Sequence, residues 1–253
     1  MTEVDHAVED LIRAAVLARF PEHGILGEER ADTGPADAEW IWVIDPLDGT
    51  SNFINGLPTF SCSVGVLWRG APVVGAIFVA TSRHLSSGVY HARAGGGAFF
   101  DDRPVRFPPT PLQARARLTA MPGGTTGVTG VRGRRFGVVR TLGSVAAELA
   151  YTAEGVLQMA FLSDAKVWDV AAGVAICQAA GAAVCVRAPR GGRWRTFTAF
   201  ADGVDRTPTC VEVRAWHELM GVGDPALVPD LTRALHREQR PLAVIRRLLL
   251  PGN

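Results

Sequence analysis

The stretch WVIDPLDGTSNF, Trp42–Phe53, governs how the rest of the chain is read. Five apolar or aromatic residues, Trp40 to Ile44, run straight into Asp45 and Asp48, then Gly49, Thr50 and Ser51. A short apolar run bounded by turn residues predicts a buried strand. Two carboxylates three residues apart around a rigid proline, directly before a glycine and two hydroxyls, form the pattern of a site rather than of surface decoration. Both acids can point into one cleft, with the Leu47 carbonyl as a further oxygen donor. Oxygen-only ligation suits hard cations such as Mg²⁺, which also bind substrate phosphate. Gly49 lets backbone approach an anion, and the N–H groups of Gly49, Thr50 and Ser51 could cradle phosphate oxygens at a helix start. A turn at Asp48-Gly49 with Asp45 as a cap is the plainer alternative, and spacing alone leaves both open.

Outward from this stretch, Val8, Leu11, Ile12, Ala15, Val16 and Phe20 recur at helical spacing, predicting a helix from Asp5 to Phe20 that Pro21 and Gly24 stop. GILGEE, Gly24–Glu29, follows as a short strand entering an acidic turn. SCSVGVLW and PVVGAIFVA flank Arg69-Gly70-Ala71 and predict a hairpin, and GVYHARAGGGAFF continues the β-rich section with a turn at Gly95 to Gly97. RFPPTPLQ, residues 106–113, marks a boundary between two subdomains, and Gly123 to Arg135 is glycine-rich and expected to be a loop. Ser144 to Glu154 reads as a helix with Ser144 as its N-cap, VLQMAFL as a strand, Asp169 to Ala180 as an apolar helix opening on an acid, and AAVCV as a buried strand. The tail from Asp224 predicts one or two amphipathic helices that pack or form an oligomer interface. Helices alternating with strands and antiparallel hairpins indicate a layered α/β fold.

A length of 253 residues allows one large domain or two joined halves, either able to bury a real core. The net charge of +1 gives no reason to expect nucleic acid or an anionic membrane as partner. Cys62, Cys177, Cys185 and Cys210 are scattered without a CxxC pair, which argues against a zinc site or a disulfide framework. No apolar run approaches the ~20 residues of a membrane span, and the acidic N-terminus has no signal-peptide core, so the expected location is the cytoplasm. The six histidines form no catalytic arrangement.

Further acids strengthen the metal reading. Glu28 and Glu29 follow a strand, and Asp169 follows Trp168 at the head of an apolar helix. Each has a simpler role, as solvated turn or N-cap. Converging in one cleft, however, Glu28, Asp45, Asp48 and Asp169 would repel strongly without cations. GEE, then WVIDPLDGTSNF, then WDVAAG resembles, in order, the motifs of the inositol monophosphatase family of magnesium-dependent, lithium-sensitive phosphatases. The similarity runs from Thr2 to about Val186.

The resemblance implies a five-layer αβαβα sandwich of the inositol monophosphatase/fructose-1,6-bisphosphatase type. An N-terminal α+β half (1–107) would carry GEE and DPLDGT, a C-terminal α/β half (108–253) the GS and WD motifs, with the active site between them. It implies two or three Mg²⁺ ions: Glu28, Asp45 and the Leu47 carbonyl would hold one, and Asp45, Asp48 and Asp169 a second. Thr50 would help position the attacking water, paired with Asp5. Gly143 and Ser144 match the GS that contacts substrate, Asp169 approaches a substrate hydroxyl, and Lys166 falls in the segment that faces substrate. The implied partner is a small phosphate ester, and the implied assembly a homodimer.

The chain departs from this family in three places. Relatives begin with about one further helix before the position of Asp5, which leaves two alternatives: a trimmed start, or a site lacking part of its wall. Leu162 stands seven residues before Asp169, where many inositol phosphatases carry a glutamate that binds inositol hydroxyls. The segment Ala114 to Val139 is short and glycine-rich. The expected activity is Mg²⁺-dependent hydrolysis of a small phosphate monoester. Histidinol phosphate, fructose 1,6-bisphosphate and 3′-phosphoadenosine nucleotides are alternative substrates within the family, and a metal- or ligand-binding or regulatory homologue with weak or no turnover is the alternative of another class.

Overall fold

The computed structural model describes residues 2–108, 117–121, 137–188, 193–201, 206–226 and 228. Helix α1 (Glu3–Arg19) starts two residues before the expected Asp5, because Thr2 caps it: the Thr2 hydroxyl accepts from Val4 N–H while the Asp5 carboxylate accepts from Thr2. This reciprocal capping box satisfies orphan donors of the first turn, and puts Asp5 inside the helix rather than at its cap.

The first sheet runs β1 (Gly24–Gly27), β2 (Trp40–Asp48), β3 (Ser61–Trp68), β4 (Ala71–Val79), β5 (Gly88–Arg93), β6 (Gly97–Phe100) and β7 (Arg103–Val105) in sequence order. Only β1–β2 is parallel; the rest is an antiparallel meander. The β3–β4 turn falls at Arg69-Gly70, both with positive φ, the backbone that a two-residue hairpin loop requires.

Helices α2 (Thr50–Ile54), α3 (Val145–Ala153), α4 (Val167–Ala180) and α5 (Cys210–Arg214) and six strands complete the described chain. β8 (Leu118–Ala120), β9 (Val138–Arg140), β10 (Leu157–Leu162), β11 (Ala183–Arg187), β12 (Arg195–Thr196) and β13 (Leu219–Gly223) form a second mixed sheet in the order β12-β11-β13-β10-β8-β9. β10 and β11 are the two strands expected there. β8, β9, β12 and β13 go unforeseen, being two to five residues long, and β9 is wholly exposed.

α3 and α4 lie between the two sheets, α4 touching β2–β6 on one side and β11 and β13 on the other. A helix covered all round is apolar all round, as the sequence of α4 is. Its close seat on the first sheet depends on Gly65 and Gly75, where a Cβ would come within 2.8 Å of Ala171 and 2.3 Å of the Ala172 carbonyl oxygen. Leu149, fully buried in the same layer, is of the kind whose truncation to alanine costs about 2–5 kcal/mol. One apolar core cluster contains residues of both sheets and of this helical layer.

α1 lies against β2 on the first sheet's other face, leaving Trp68, Val74 and Phe78 there 39–42% exposed. Beyond the second sheet, Val228 packs with Met121, Met159 and Phe161. The layers thus alternate α, β, α, β among the described residues, the mixed α/β architecture expected. No helix among the described residues is long and apolar enough to cross a membrane. The expected glycine-rich loop 123–135 and the tail helices beyond Val228 lie outside the described residues. We retain the division into 1–107 and 108–253 as a proposal.

Candidate metal centre

The site starts with an irregularity in β2. Residues three apart on a regular strand face opposite sides. Asp45 pairs with Ser63 and Asp48 with Ser61, so β2 carries one more residue than β3 across this interval. That bulge returns Asp48 to the side of Asp45. Pro46 has no ladder donor to lose, and the Leu47 N–H turns to Asp45 Oδ1 at 3.0 Å. Asp45 is 2% and Leu47 5% exposed.

Asp48 joins the first sheet to the central helices. Its Oδ2 accepts from Ser144 Oγ at 2.8 Å, from Ala146 N–H at 2.5 Å and from Ser61 Oγ at 3.4 Å, so it sits on the positive N-terminus of α3. α4 starts two residues before the expected Asp169, which is its third residue and so not the N-cap of the plainer alternative: Lys166 is the N-cap, and its N–H donates to Asp169 Oδ2 at 2.7 Å. Each of the three aspartates therefore spends one oxygen on backbone. The Val145 N–H also points at the Asp48 carboxylate. Glu28, just beyond β1 and exposed, reaches the Asp45 carboxyl.

The electrostatics follow from this crowding. Burial is the largest cause that raises the Asp45 carboxyl well above its ordinary value, followed by the charges of Asp48, Glu28 and Asp169. Burial likewise raises Asp48, opposed by the Ala146 and Ser144 donors, and brings Asp169 to about 7. Glu28 is raised by partial burial and by its acidic neighbours Glu29, Asp48 and Asp5. Among the described residues, no three acid, histidine or cysteine side chains stand close enough to enclose an ion as they are. The donor chemistry nevertheless fits a hard divalent cation: oxygen only and partly desolvated.

Asp5, on α1 and 1% exposed, faces Thr50 at the head of α2, with Thr50 Oγ1 3.4 Å from Asp5 Oδ1. The same hydroxyl lies 2.9 Å from the Leu47 carbonyl, so its single proton has two acceptors. Gly49 precedes Thr50 at φ 88°, a left-handed conformation that glycine adopts without strain. Ser51 is exposed on the same short helix.

Gly143 and Leu162 line a cavity of about 100 Å³ together with Ser144 and Glu148. Gly143 is exposed there, whereas the Ser144 side chain is 1% exposed and committed to Asp48, Ser61 and Ala147 N–H. Lys166 is exposed beside this region.

Sequence reasoning missed four supporting residues. Glu9, 0% exposed, pairs with Arg13 and accepts from the Glu29 N–H at 2.8 Å and the Arg30 N–H at 3.2 Å, tying the acidic turn to the helix that carries Asp5. Its position one turn after Asp5 was the available signal. Asn52 donates to the Thr59 and Leu142 carbonyls, fastening α2 beside Gly143. Glu148 accepts from the Leu142 N–H, and burial raises its carboxyl to about 7. Arg214 had no signal, since its partners are up to 187 residues away in sequence.

The profile of the Inositol monophosphatase family matches residues 1–204. Phosphatase IMPL1, chloroplastic, of Arabidopsis thaliana is 35% identical over 208 residues, covering 73% of this chain and 52% of the relative, so the chain spans about half of that protein. An inositol-1-monophosphatase of Rhizobium meliloti is 34% identical over 190 residues, covering 72% of this chain and 70% of its own. Among solved structures, the inositol monophosphatase from Anabaena (Nostoc) sp. PCC 7120 superposes with a TM-score of 0.71 at 28% identity, over 92% of this chain and 86% of that one. Fold and motifs thus agree with the comparisons, and the chain belongs to the inositol monophosphatase family.

Proposed function

We propose that this protein hydrolyses a small phosphate monoester using Mg²⁺ held by Glu28, Asp45, the Leu47 carbonyl, Asp48 and Asp169. One observation carries this reading: the β2 bulge puts Asp45 and Asp48 on one side, where the charges of Glu28, in the turn after β1, and Asp169, at the head of α4, also reach Asp45. Bound there, divalent cations would lower the pKa of an attacking water and neutralise charge on the phosphate and the leaving oxygen. Thr50 orients that water, donating its own proton to Asp5 and accepting from the water. Gly49, Thr50 and Ser51 present backbone N–H groups to the phosphate at the start of α2. Gly143 offers backbone to the alcohol, and Ser144 acts through Asp48, whose carboxylate it fixes. Lys166 lies at the entrance to the same region, and its charge lowers the Asp169 pKa.

Leu162 bears on the alcohol. It forms an apolar wall of the cavity beside Gly143 and is 2% exposed, so it offers no acceptor to a polyol hydroxyl. An alcohol with an apolar face suits that wall better than inositol. Two or three ions, lithium inhibition and a homodimer complete the proposal by family likeness, and a cytoplasmic location by the acidic N-terminus.

The test is phosphate release from inositol 1-phosphate, histidinol phosphate, fructose 1,6-bisphosphate and 3′-phosphoadenosine 5′-phosphate, each with Mg²⁺, with EDTA and with added Li⁺. Release from at least one substrate that EDTA abolishes is expected, and Asp45→Asn is expected to lose it while remaining folded. An active Asp45→Asn protein would sink the metal assignment. Silence across the panel from a protein that still binds Mg²⁺ would favour a binding protein without turnover.

A further inference from the structure

Arg214 ends α5, a short helix that begins far along the chain from the acidic motifs and is fixed by its own capping box, in which Thr209 and Glu212 bond reciprocally. Its guanidinium makes three contacts at once. Nη2 donates to the Gly27 carbonyl at 2.6 Å and to Asp32 Oδ1 at 2.5 Å, and Nε donates to Asp32 Oδ2 at 3.2 Å. The face of the same group lies 5.0 Å from the centre of the Trp168 ring. Gly27 directly precedes Glu28, and Trp168 directly precedes Asp169. One side chain therefore grips the residue before a candidate ligand just beyond β1 and the residue before a candidate ligand on α4. Only a planar group can donate in its plane to a carbonyl and a carboxylate while lying against an indole; a lysine ammonium cannot do both.

We infer that Arg214 is a positioning residue that sets the spacing between the Glu28 turn and the head of α4, and so the affinity of the acidic cluster for divalent cations. The inference rests on the metal reading above and adds a device to it. Mg²⁺ demands near-ideal geometry from its ligands, so a loosened spacing weakens its binding. Residues that orient ligands from behind typically govern roughly 10–100-fold in metal affinity. The side chain of Arg214 is 32% exposed, so its replacement leaves no large hole in the core.

The sign of the effect separates positioning from charge. Removing a cation near four carboxylates would, by Coulomb's law alone, tighten the binding of Mg²⁺. Loss of a spacer weakens it. Mg²⁺ titrated calorimetrically into the full chain without substrate measures this directly, in wild type, Arg214→Met and Arg214→Lys. About a tenfold weakening is expected in both variants, the lysine failing despite its retained charge, with turnover at saturating Mg²⁺ largely recovered. Unchanged affinity with a lowered Tm would mean that Arg214 merely anchors α5; tighter binding would mean that it acts as a charge. Either result overturns the proposal. Should Arg214→Met not fold, Arg214→Lys decides by the same criterion. If wild type and Asp45→Asn both fail to bind Mg²⁺, the metal reading itself has failed, and the spacing role falls with it.

Discussion

Leu162 shows how one side chain can bound a substrate class. It closes β10 beside Gly143, and its branched apolar head lines the cavity next to Ser144 and Glu148. A buried site that holds polar groups rejects ligands leaving them unpaired, and an apolar wall leaves a polyol's own hydroxyls unpaired in the same way. Leu162→Glu is therefore expected to raise turnover on inositol 1-phosphate relative to the other esters by about tenfold, the worth of roughly one hydrogen bond to a charged acceptor. Steady-state comparison of the two proteins on that substrate checks it, and an unchanged ratio removes Leu162 from the account of specificity. Glu148 lines the same cavity with its carboxyl raised to about 7 by burial. Nothing in the sequence distinguishes it from any other acid within an apolar helix.

At the level of elements, α3 is held by the same carboxylate that belongs to the acidic cluster. Ser144 caps it, accepting from Ala147 N–H and donating to Asp48, which itself accepts from Ala146 N–H. Helix, strand and site share one hydrogen-bond network, so the cap carries both stability and geometry. Ser144→Ala is expected to destabilise the protein by about 1–2 kcal/mol, the upper range for a lost N-cap, as measured by denaturant unfolding. A change below a few tenths of a kcal/mol would show that the network does not depend on the hydroxyl. This helix and its cap were legible, because periodicity and an N-terminal serine are local signals. So were β1 to β6, where hydrophobic runs and turn residues agree. The strands β8, β9, β12 and β13 were not, since two- to five-residue strands take their identity from neighbours across the sheet rather than from their own composition.

Across the whole molecule, the acidic cluster sets a link between pH and stability. Burial lifts the Asp169 carboxyl from 3.8 to about 7. Within that window the native state keeps a proton that the unfolded chain has released, so stability declines as pH rises through it. Asp169→Asn has no proton to lose. Measured in EDTA, the Tm of the variant relative to wild type is expected to climb from about pH 4 to about pH 7 and then level off. A difference independent of pH would mean that Asp169 titrates in the fold as it does in the unfolded chain. The candidate ligands Glu28, Asp45, Asp48 and Asp169 were legible as residue types and motifs. What could not be read from the chain was most of their support: Asn52 and Arg214 act through contacts 7 to 187 residues distant. Those contacts exist only once the sheets and the central helices have assembled.

The bulge in β2 makes arithmetic matter more than chemistry between Asp45 and Asp48. Because side chains alternate along a strand, the number of residues separating the two acids decides whether they share a face. Pro46→Ala leaves that number intact and is expected to retain Mg²⁺ binding. Deleting Leu47 lets β2 pair with β3 without interruption and keeps Asp45 and Asp48 on one face, now two residues apart, but removes the Leu47 carbonyl between them, the nearer acceptor of the Thr50 hydroxyl. The deletion is expected to weaken Mg²⁺ binding, through the lost carbonyl, in a protein that still shows native β-structure by circular dichroism. In this stretch, drift by substitution at position 46 has room, whereas loss of the codon for position 47 does not.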